Sequence, residues 1–265
     1  MNCLEGMKEI SDDFIDLTVT SPPYDNLRTY DECSNWNFDV FKEIAKELYR
    51  ITKPGGVIVW VVGDAVIENS ETLTSFKQAI YFKKIGFNIH DTMIYQKSGM
   101  AFPSSERYHQ SFEYMFVISK DRPKTFNPLK DRKNKWDRKW GKDTKRTKEG
   151  DLIDGGRSKF KYDKYGMRFN IWKYSQGGGF GQSDKIAYNH PATFPEELAR
   201  DHILSWSNEN DLVFDPFAGS GTTLVMARQY NRNFLGFEIN DEYMKIIEKR
   251  LEKYPNKLDE WFDEN

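Results

Sequence analysis

The apolar positions of this chain follow regular patterns at both ends and none in the middle. Ile15-Asp16-Leu17-Thr18-Val19-Thr20 is a short β-branched run that stops at Ser21-Pro22-Pro23, where neither proline can donate a ladder hydrogen bond. From Phe38 to Ile51 the apolar residues Phe41, Ile44, Ala45, Leu48 and Ile51 recur at three and four residues, which predicts one buried helical face ended by Pro54-Gly55-Gly56. Val57 to Val62 is continuously apolar, as in a buried parallel strand. A helix over about Leu73–Lys84, closing at Gly86, and strands near Ile89–Tyr95 and Tyr114–Ser119 follow. After the middle the alternation resumes: a helix over Pro195–Trp206, a strand at Leu212-Val213-Phe214, a tight loop from Asp215 to Gly221 and a helix over Thr222–Tyr230. A strand at Phe234–Phe237 ending in Glu238 and a charged helix over about Asp241–Lys253 complete the pattern. Strand–helix alternation on both flanks predicts a doubly wound α/β fold with a parallel sheet. There is no internal repeat.

Between Lys120 and Lys185 the chain is polar and lacks a period, yet it carries ten aromatic residues, more than a purely disordered tract would hold. Charge sets it apart more sharply. The whole chain has a net charge of -2, but this stretch holds 20 Lys and Arg against 9 Asp and Glu, or +11, and the remainder carries -13. A concentrated basic block in an acidic protein calls for a polyanionic partner. The 265 residues suffice for one large domain carrying an insertion, and no apolar run approaches the roughly 18 residues of a membrane span. The start, Met1-Asn2-Cys3-Leu4-Glu5, has neither the basic nor the apolar segment of a secretory signal. Two cysteines, Cys3 and Cys33, make neither a disulfide framework nor a zinc site, so the expected setting is a reducing cytoplasm. His90, His109 and His202 are isolated, and no metal site is expected.

Two segments carry candidate chemistry. Asp215-Pro216-Phe217-Ala218-Gly219-Ser220-Gly221-Thr222-Thr223 lies where a strand hands over to a helix, and its glycines permit a sharp turn and close approach of a ligand. A P-loop would need Lys where this chain has Thr222, and the dinucleotide fingerprint would need a third glycine. Glu238 stands 19 residues beyond Gly219 at the tip of the next strand, where a carboxylate can accept the hydroxyls of an adenosine ribose. No basic residue occurs between Asp215 and Arg228, so a cofactor with adenosine but no pyrophosphate fits best. Alone, the loop could be a turn with no ligand; paired with Glu238, the ligand reading is favoured. The second segment, Thr20-Ser21-Pro22-Pro23-Tyr24, projects from the carboxyl end of a strand, the edge where α/β folds place their sites. A proline-stiffened turn would explain Pro22 and Pro23 but not the flanking Ser21 and Tyr24.

Together these segments resemble the amino-methylating DNA methyltransferases, which modify N4 of cytosine or N6 of adenine with S-adenosylmethionine. Ser21-Pro22-Pro23-Tyr24 matches the family's catalytic motif, Asp215 to Gly221 its cofactor motif and Glu238 its ribose-binding acid. His190-Pro191-Ala192-Thr193-Phe194-Pro195 looks like a further cofactor-side motif, in which His190, Pro191 and Thr193 are the expected contacts, and Lys53-Pro54-Gly55-Gly56 looks like the family's turn. Asn2 occupies the place of an aspartate near the cofactor's adenine. Catalytic motif first, insertion next and cofactor loop last is the permuted order called the beta class. The resemblance implies a mostly parallel, Rossmann-like methyltransferase sheet: residues 1–119 form its catalytic half, 186–265 its cofactor-binding half, and 120–185 an inserted target-recognition region. Gln176-Gly177-Gly178-Gly179-Phe180-Gly181-Gln182 looks like a hinge. The partner implied is double-stranded DNA, with a companion restriction endonuclease and a monomeric or homodimeric enzyme also in view.

On this resemblance, Ser21 Oγ and the Pro22 carbonyl accept the two protons of the exocyclic amine and free its lone pair to attack the sulfonium methyl. Pro23 stiffens the loop, and Tyr24 stacks on a base extruded from the duplex. No Pro-Cys pair is present, so the covalent route of the C5-cytosine enzymes is not expected. Ser at the first motif position tilts the reading to cytosine N4. Adenine N6 is the nearest alternative, an RNA methyltransferase a third, and a catalytically idle nucleic-acid-binding protein the reading from a different class. Glu106-Arg107 and Glu113 could belong to the wall of the site, but an ordinary ion pair is the favoured reading.

Overall fold

The computed structural model describes residues 1–24, 36–99, 105–134, 144–155, 163–175, 186–187 and 195–254. The chain runs α1 (Cys3–Lys8), β1 (Ile15–Thr20), α2 (Phe38–Ile51), β2 (Thr52–Val62), β3 (Val66–Ile67), β4 (Ser70–Glu71), α3 (Thr74–Lys84), β5 (Asn88–Lys97), β6 (Phe112–Ser119), β7 (Arg132–Lys133), β8 (Thr144–Arg146), β9 (Leu152–Asp154), β10 (Tyr165–Gly166), β11 (Ile171–Tyr174), α4 (Glu196–Trp206), β12 (Leu212–Asp215), α5 (Thr222–Gln229), β13 (Asn233–Gly236) and α6 (Asp241–Glu252). Seven strands form one sheet in the order β11-β5-β6-β2-β1-β12-β13. All its pairings are parallel except those of β6, which runs opposite to both β2 and β5. Among the described residues no helix intervenes between β5 and β6, and a connection of that kind returns the chain antiparallel.

Helix α2 forms where the apolar period places it. The Asn37 side chain caps it by accepting from the Asp39 and Val40 N–H groups, and Phe41, Ile44, Ala45, Leu48 and Ile51 are all buried. They pack with Met7, Phe82 and the residues Ile58, Trp60, Val62, Phe116 and Ile118, which share one face of the sheet by the alternation of the pleat. Trp60 is fully buried and satisfies its indole N–H on Gln78 at 2.8 Å. α4 packs on α5 and against β1. α3 begins at a left-handed Leu73 without a cap of its own; the buried Asp64 supplies one, accepting from the Ser75 N–H at 2.8 Å and hydroxyl at 2.5 Å.

Three local expectations are corrected. Pro54-Gly55-Gly56 does not end α2. Thr52 already starts β2, and the turn residues sit inside that strand as an irregularity opposite Ile15–Leu17. Gly55 holds φ +79°, donates to the Lys120 carbonyl at 2.6 Å, and a Cβ there would meet Lys124 Cβ at 2.9 Å. Second, α1 was not foreseen: six residues are too few to show a period. Third, part of the stretch read as aperiodic is regular sheet. β11 pairs in parallel with β5, with Trp172 and Tyr174 buried and Ile171 and Lys173 exposed, a period of two too short to stand out.

The basic stretch contains a compact unit of its own, Pro128–Phe169, narrower than residues 120–185. Within it β7 pairs with β10 and β8 with β9, both antiparallel. Arg168 forms an ion pair with Asp131, and the Arg132 guanidinium lies 4.5 Å from the centre of the Phe169 ring. Among the described residues no helix is long and apolar enough to cross a membrane.

Candidate active site

β1 and β12 are parallel neighbours, but their connections leave in opposite directions, to β2 on one side and β13 on the other. That is the switch point at which doubly wound sheets open a crevice beyond the carboxyl ends of their strands. Both candidate segments follow these two strands and therefore meet there. The Thr20 hydroxyl donates to Asp215 Oδ1 at 2.6 Å, and the Thr223 hydroxyl donates to the Val19 carbonyl at 3.1 Å. Thr20 is buried, and this bond joins residues 195 positions apart.

The loop after β12 is built on its own backbone. The Phe217 N–H donates to Asp215 Oδ1 at 3.0 Å, the Ala218 N–H to the Phe237 carbonyl at 2.9 Å and the Gly221 N–H to the Ala218 carbonyl at 2.7 Å. Asp215, Pro216, Ala218, Ser220, Thr222 and Thr223 are buried, while Phe217 packs edge-on against Trp36 at 5.4 Å between ring centres. Gly219 and Gly221 hold φ +52° and +76°. A Cβ on Gly221 would come within 2.9 Å of Ile247, so the glycine is required both by conformation and by space. Glu238 reaches back to this loop: Oε2 accepts the Gly219 N–H at 2.8 Å, and Oε1 accepts those of Ile239 and Asn240, each at 2.9 Å. A carboxylate has about four acceptor positions. Three are occupied here, so gripping two ribose hydroxyls at once requires one of these bonds to exchange.

Asp215 and Glu238 give the site a negative field. Burial pushes the Asp215 carboxyl up to about 6, opposed by the Thr20 and Phe217 hydrogen bonds and reinforced by the charge of Glu238. Burial also pushes the Cys3 thiol up to about 11, with the charges of Glu238 and Asp215 adding to it, so this thiol stays protonated. The Asp215 shift has a consequence for stability. An unfolded aspartate ionises near 3.8, so between about pH 4 and pH 6 the folded chain holds a proton that the unfolded chain has released. Stability from this group is therefore full below about pH 4 and lost as pH rises through 6, on the order of 3 kcal/mol in all. Asp215→Asn keeps an acceptor oxygen for Thr20 and Phe217 but does not titrate. The melting temperature of the wild type should fall relative to that variant between pH 4 and 6.5; parallel curves would refute the shift.

The remaining expected site residues fall as follows. Ser21, Pro23 and Tyr24 are half-buried and Pro22 is buried at the end of β1; the Ser21 hydroxyl donates to Tyr24 Oη at 3.0 Å. Asn2 is the N-cap of α1, its side-chain oxygen taken by the Leu4 N–H at 2.9 Å. The Met1 amino group donates to the Glu238 carbonyl at 2.7 Å, which places the start of the chain beside Glu238. His190, Pro191 and Thr193, like Cys33 and the glycine-rich run 176–182, lie outside the described residues. Sequence reasoning missed Arg250, which is fully buried behind the loop and donates to the Ser220 carbonyl at 2.6 Å and to Glu196 Oε1 at 3.0 Å. It lies in a helix so rich in charge that nothing marks it out. A separate cavity of about 50 Å3, lined among others by Asp16, Lys53 and Trp206, lies at the opposite edge, where β1, β2 and β12 begin. It is remote from this chemistry.

A carboxylate-flanked glycine loop beside a Ser-Pro-Pro-Tyr turn agrees with what comparison with known proteins finds. The family model described as DNA methylase, that of the N6/N4 methyltransferases, matches residues 15–249, and the chain belongs to this family. The orphan methyltransferase M.BamHII of Bacillus amyloliquefaciens is 55% identical over 251 residues, covering 94% of this chain and 93% of its own. Among solved structures, the cytosine-N4-specific PvuII DNA methyltransferase superposes with a TM-score of 0.69 at 22% identity, covering 94% of this chain and 84% of that one. The complex of M1.HpyAVI with SAM superposes with a TM-score of 0.59 at 23% identity, covering 94% and 96%.

Proposed function

We propose that this DNA methyltransferase transfers a methyl group from S-adenosylmethionine to the exocyclic N4 of a cytosine flipped out of duplex DNA. The observation that carries the reading is the Thr20–Asp215 hydrogen bond, which sets the Ser21-Pro22-Pro23-Tyr24 turn beside the Asp215–Gly221 loop. The loop suits this cofactor by its charge. Among the described residues two carboxylates and no basic side chain line it, and Arg250 donates to Ser220, Thr222 and Glu196 behind it. Such a field favours a sulfonium and repels a polyphosphate. When bound, the cofactor supplies an electrophilic methyl carbon. Glu238 would hold the ribose, and the backbone from Phe217 to Gly221, with Thr222 and Thr223, would shape the remaining wall. Asn2 would border the adenine from the N-cap of α1, and by the resemblance His190, Pro191 and Thr193 would be further cofactor contacts.

An exocyclic amine is a poor nucleophile because its lone pair is delocalised into the ring. Ser21 Oγ and the Pro22 carbonyl would each accept one amine proton and draw the nitrogen toward tetrahedral geometry, which frees the lone pair for direct attack. Tyr24 would stack on the extruded base, offsetting about 1–3 kcal/mol of the cost of flipping. Ser21, rather than an acid, at the head of the motif favours cytosine N4. Incubating the protein with genomic DNA and labelled cofactor, then separating the nucleosides, should yield labelled 4-methylcytosine. Labelled 6-methyladenine would move the assignment to the adenine enzyme, and no labelled DNA would end it.

The unit Pro128–Phe169, with 15 Lys and Arg against 7 Asp and Glu, would read the duplex. Its affinity for DNA should then fall linearly on logarithmic axes as salt rises, with a slope of about -0.9 per phosphate neutralised. Fluorescence anisotropy with a labelled duplex measures that slope, and a slope near zero removes the role.

A further inference from the structure

A hydrogen-bonded chain runs from the reactive turn to an ion pair on the neighbouring strands. The Ser21 hydroxyl contacts Tyr24 Oη at 3.0 Å, Tyr24 Oη contacts Glu113 Oε2 at 2.8 Å, and Glu113 Oε1 holds Lys97 Nζ at 2.6 Å. Lys97 ends β5 and Glu113 lies near the start of β6, where Tyr95 and Glu113 are register partners, so Lys97 falls one pleat beyond on the same face. Both side chains are largely withdrawn from water, at 14% and 15% exposure.

The direction of this chain follows from its anionic end. A carboxylate can only accept, so Tyr24 must donate to Glu113. The single phenolic proton is then spent, and Tyr24 Oη can meet Ser21 only as an acceptor. Ser21 must therefore give its one proton to Tyr24, which leaves only lone pairs facing outward. An amine proton needs such an acceptor; a serine free to rotate would present its own proton part of the time. Low dielectric strengthens each bond in such a chain.

We infer that Glu113, acting through Tyr24 and held by Lys97, is a positioning residue that fixes Ser21 Oγ as an acceptor for the target amine. The inference rests on the methyltransferase reading and adds two residues to it. Glu113 is thus both an ion-pair partner and a member of the site.

The test exploits the polarity of the chain. In Glu113→Gln, Lys97 claims the amide oxygen and turns the amide NH2 toward Tyr24. That reverses every bond and points a proton outward from Ser21. Single-turnover methyl transfer should slow about 10–100-fold, with cofactor affinity by calorimetry and DNA affinity by anisotropy within about twofold of wild type. Adding Lys97→Met frees the amide oxygen to face Tyr24, so the double variant should be faster than Glu113→Gln alone. A merely structural pair would move the melting temperature and leave the transfer rate of the folded protein at the wild-type value in both variants. Tyr24→Phe should slow transfer comparably, and adding Glu113→Gln to it should cost nothing more. If wild type methylates DNA and Glu113→Gln matches its rate, or the double variant is slower than the single, the inference fails alone. If wild type transfers no methyl group to DNA, the methyltransferase reading fails and takes this one with it.

Discussion

Ser21→Ala should lower single-turnover methyl transfer about 10²–10³-fold while leaving cofactor affinity within about twofold. The proposed mechanism asks two acceptors to hold two amine protons, and the substitution removes one of them. The other, the Pro22 carbonyl, stays in place because the Pro22-Pro23 pair restricts the backbone. Tyr24 keeps its bond to Glu113, so its ring remains available for stacking. The lost interaction matters mainly as the nitrogen becomes tetrahedral, so the effect belongs in the rate of transfer rather than in binding. The size assumes that a preorganised group at the reacting atom is worth about as much as an oxyanion-hole donor, roughly 3–4 kcal/mol. Rapid-quench measurement with labelled cofactor reads it directly. A variant that transfers methyl at the wild-type rate would remove Ser21 from the chemistry.

Arg250→Met should destabilise the fold by about 3–5 kcal/mol. Arg250 is fully buried; besides Ser220 and Glu196 it donates to the Thr222 hydroxyl at 3.1 Å. It ties the end of α6 to the glycine loop and to the first residue of α4. Methionine fills most of the volume but leaves the Glu196 charge and the Ser220 carbonyl without this donor, and removing one member of a buried pair costs far more than removing both. A midpoint shift on the order of 10 °C would follow for a chain of this size. Combining Arg250→Met with Glu196→Leu should restore much of the loss, because a buried pair exchanged for apolar groups is often neutral. Thermal denaturation decides: a single variant within 1 °C of wild type, or a double variant less stable than the single, would show that the pair does not brace the loop.

Helix α2 was legible because five apolar residues at helical spacing sit behind a capping Asn37, so local preference and burial agree. The loop of Asp215–Gly221 was legible for a related reason. Gly219 and Gly221 occupy left-handed conformations, and Gly221 also meets Ile247, so the residue type reports the backbone directly. The Ser-Pro-Pro-Tyr turn was equally plain, since two prolines cannot continue a strand. Asn2 shows the limit. Its identity was consistent with an adenine contact, yet its side-chain oxygen is engaged as a helix cap, in an element too short to leave a periodic trace.

The chemistry of the two motifs, the sheet-forming alternation and the charge of the insertion are properties of neighbours along the chain, and the sequence alone determined them. Which strands lie side by side, and hence that Thr20 meets Asp215, depends on the order of a seven-stranded sheet. Arg250 and the Lys97–Glu113 pair acquire their roles only once that sheet has formed. An arginine in a charged helix, or a glutamate on a strand, looks the same in sequence whether water or a buried partner surrounds it. Tertiary structure decides which, because desolvation and hydrogen-bond direction arise from atoms distant along the chain and close in space.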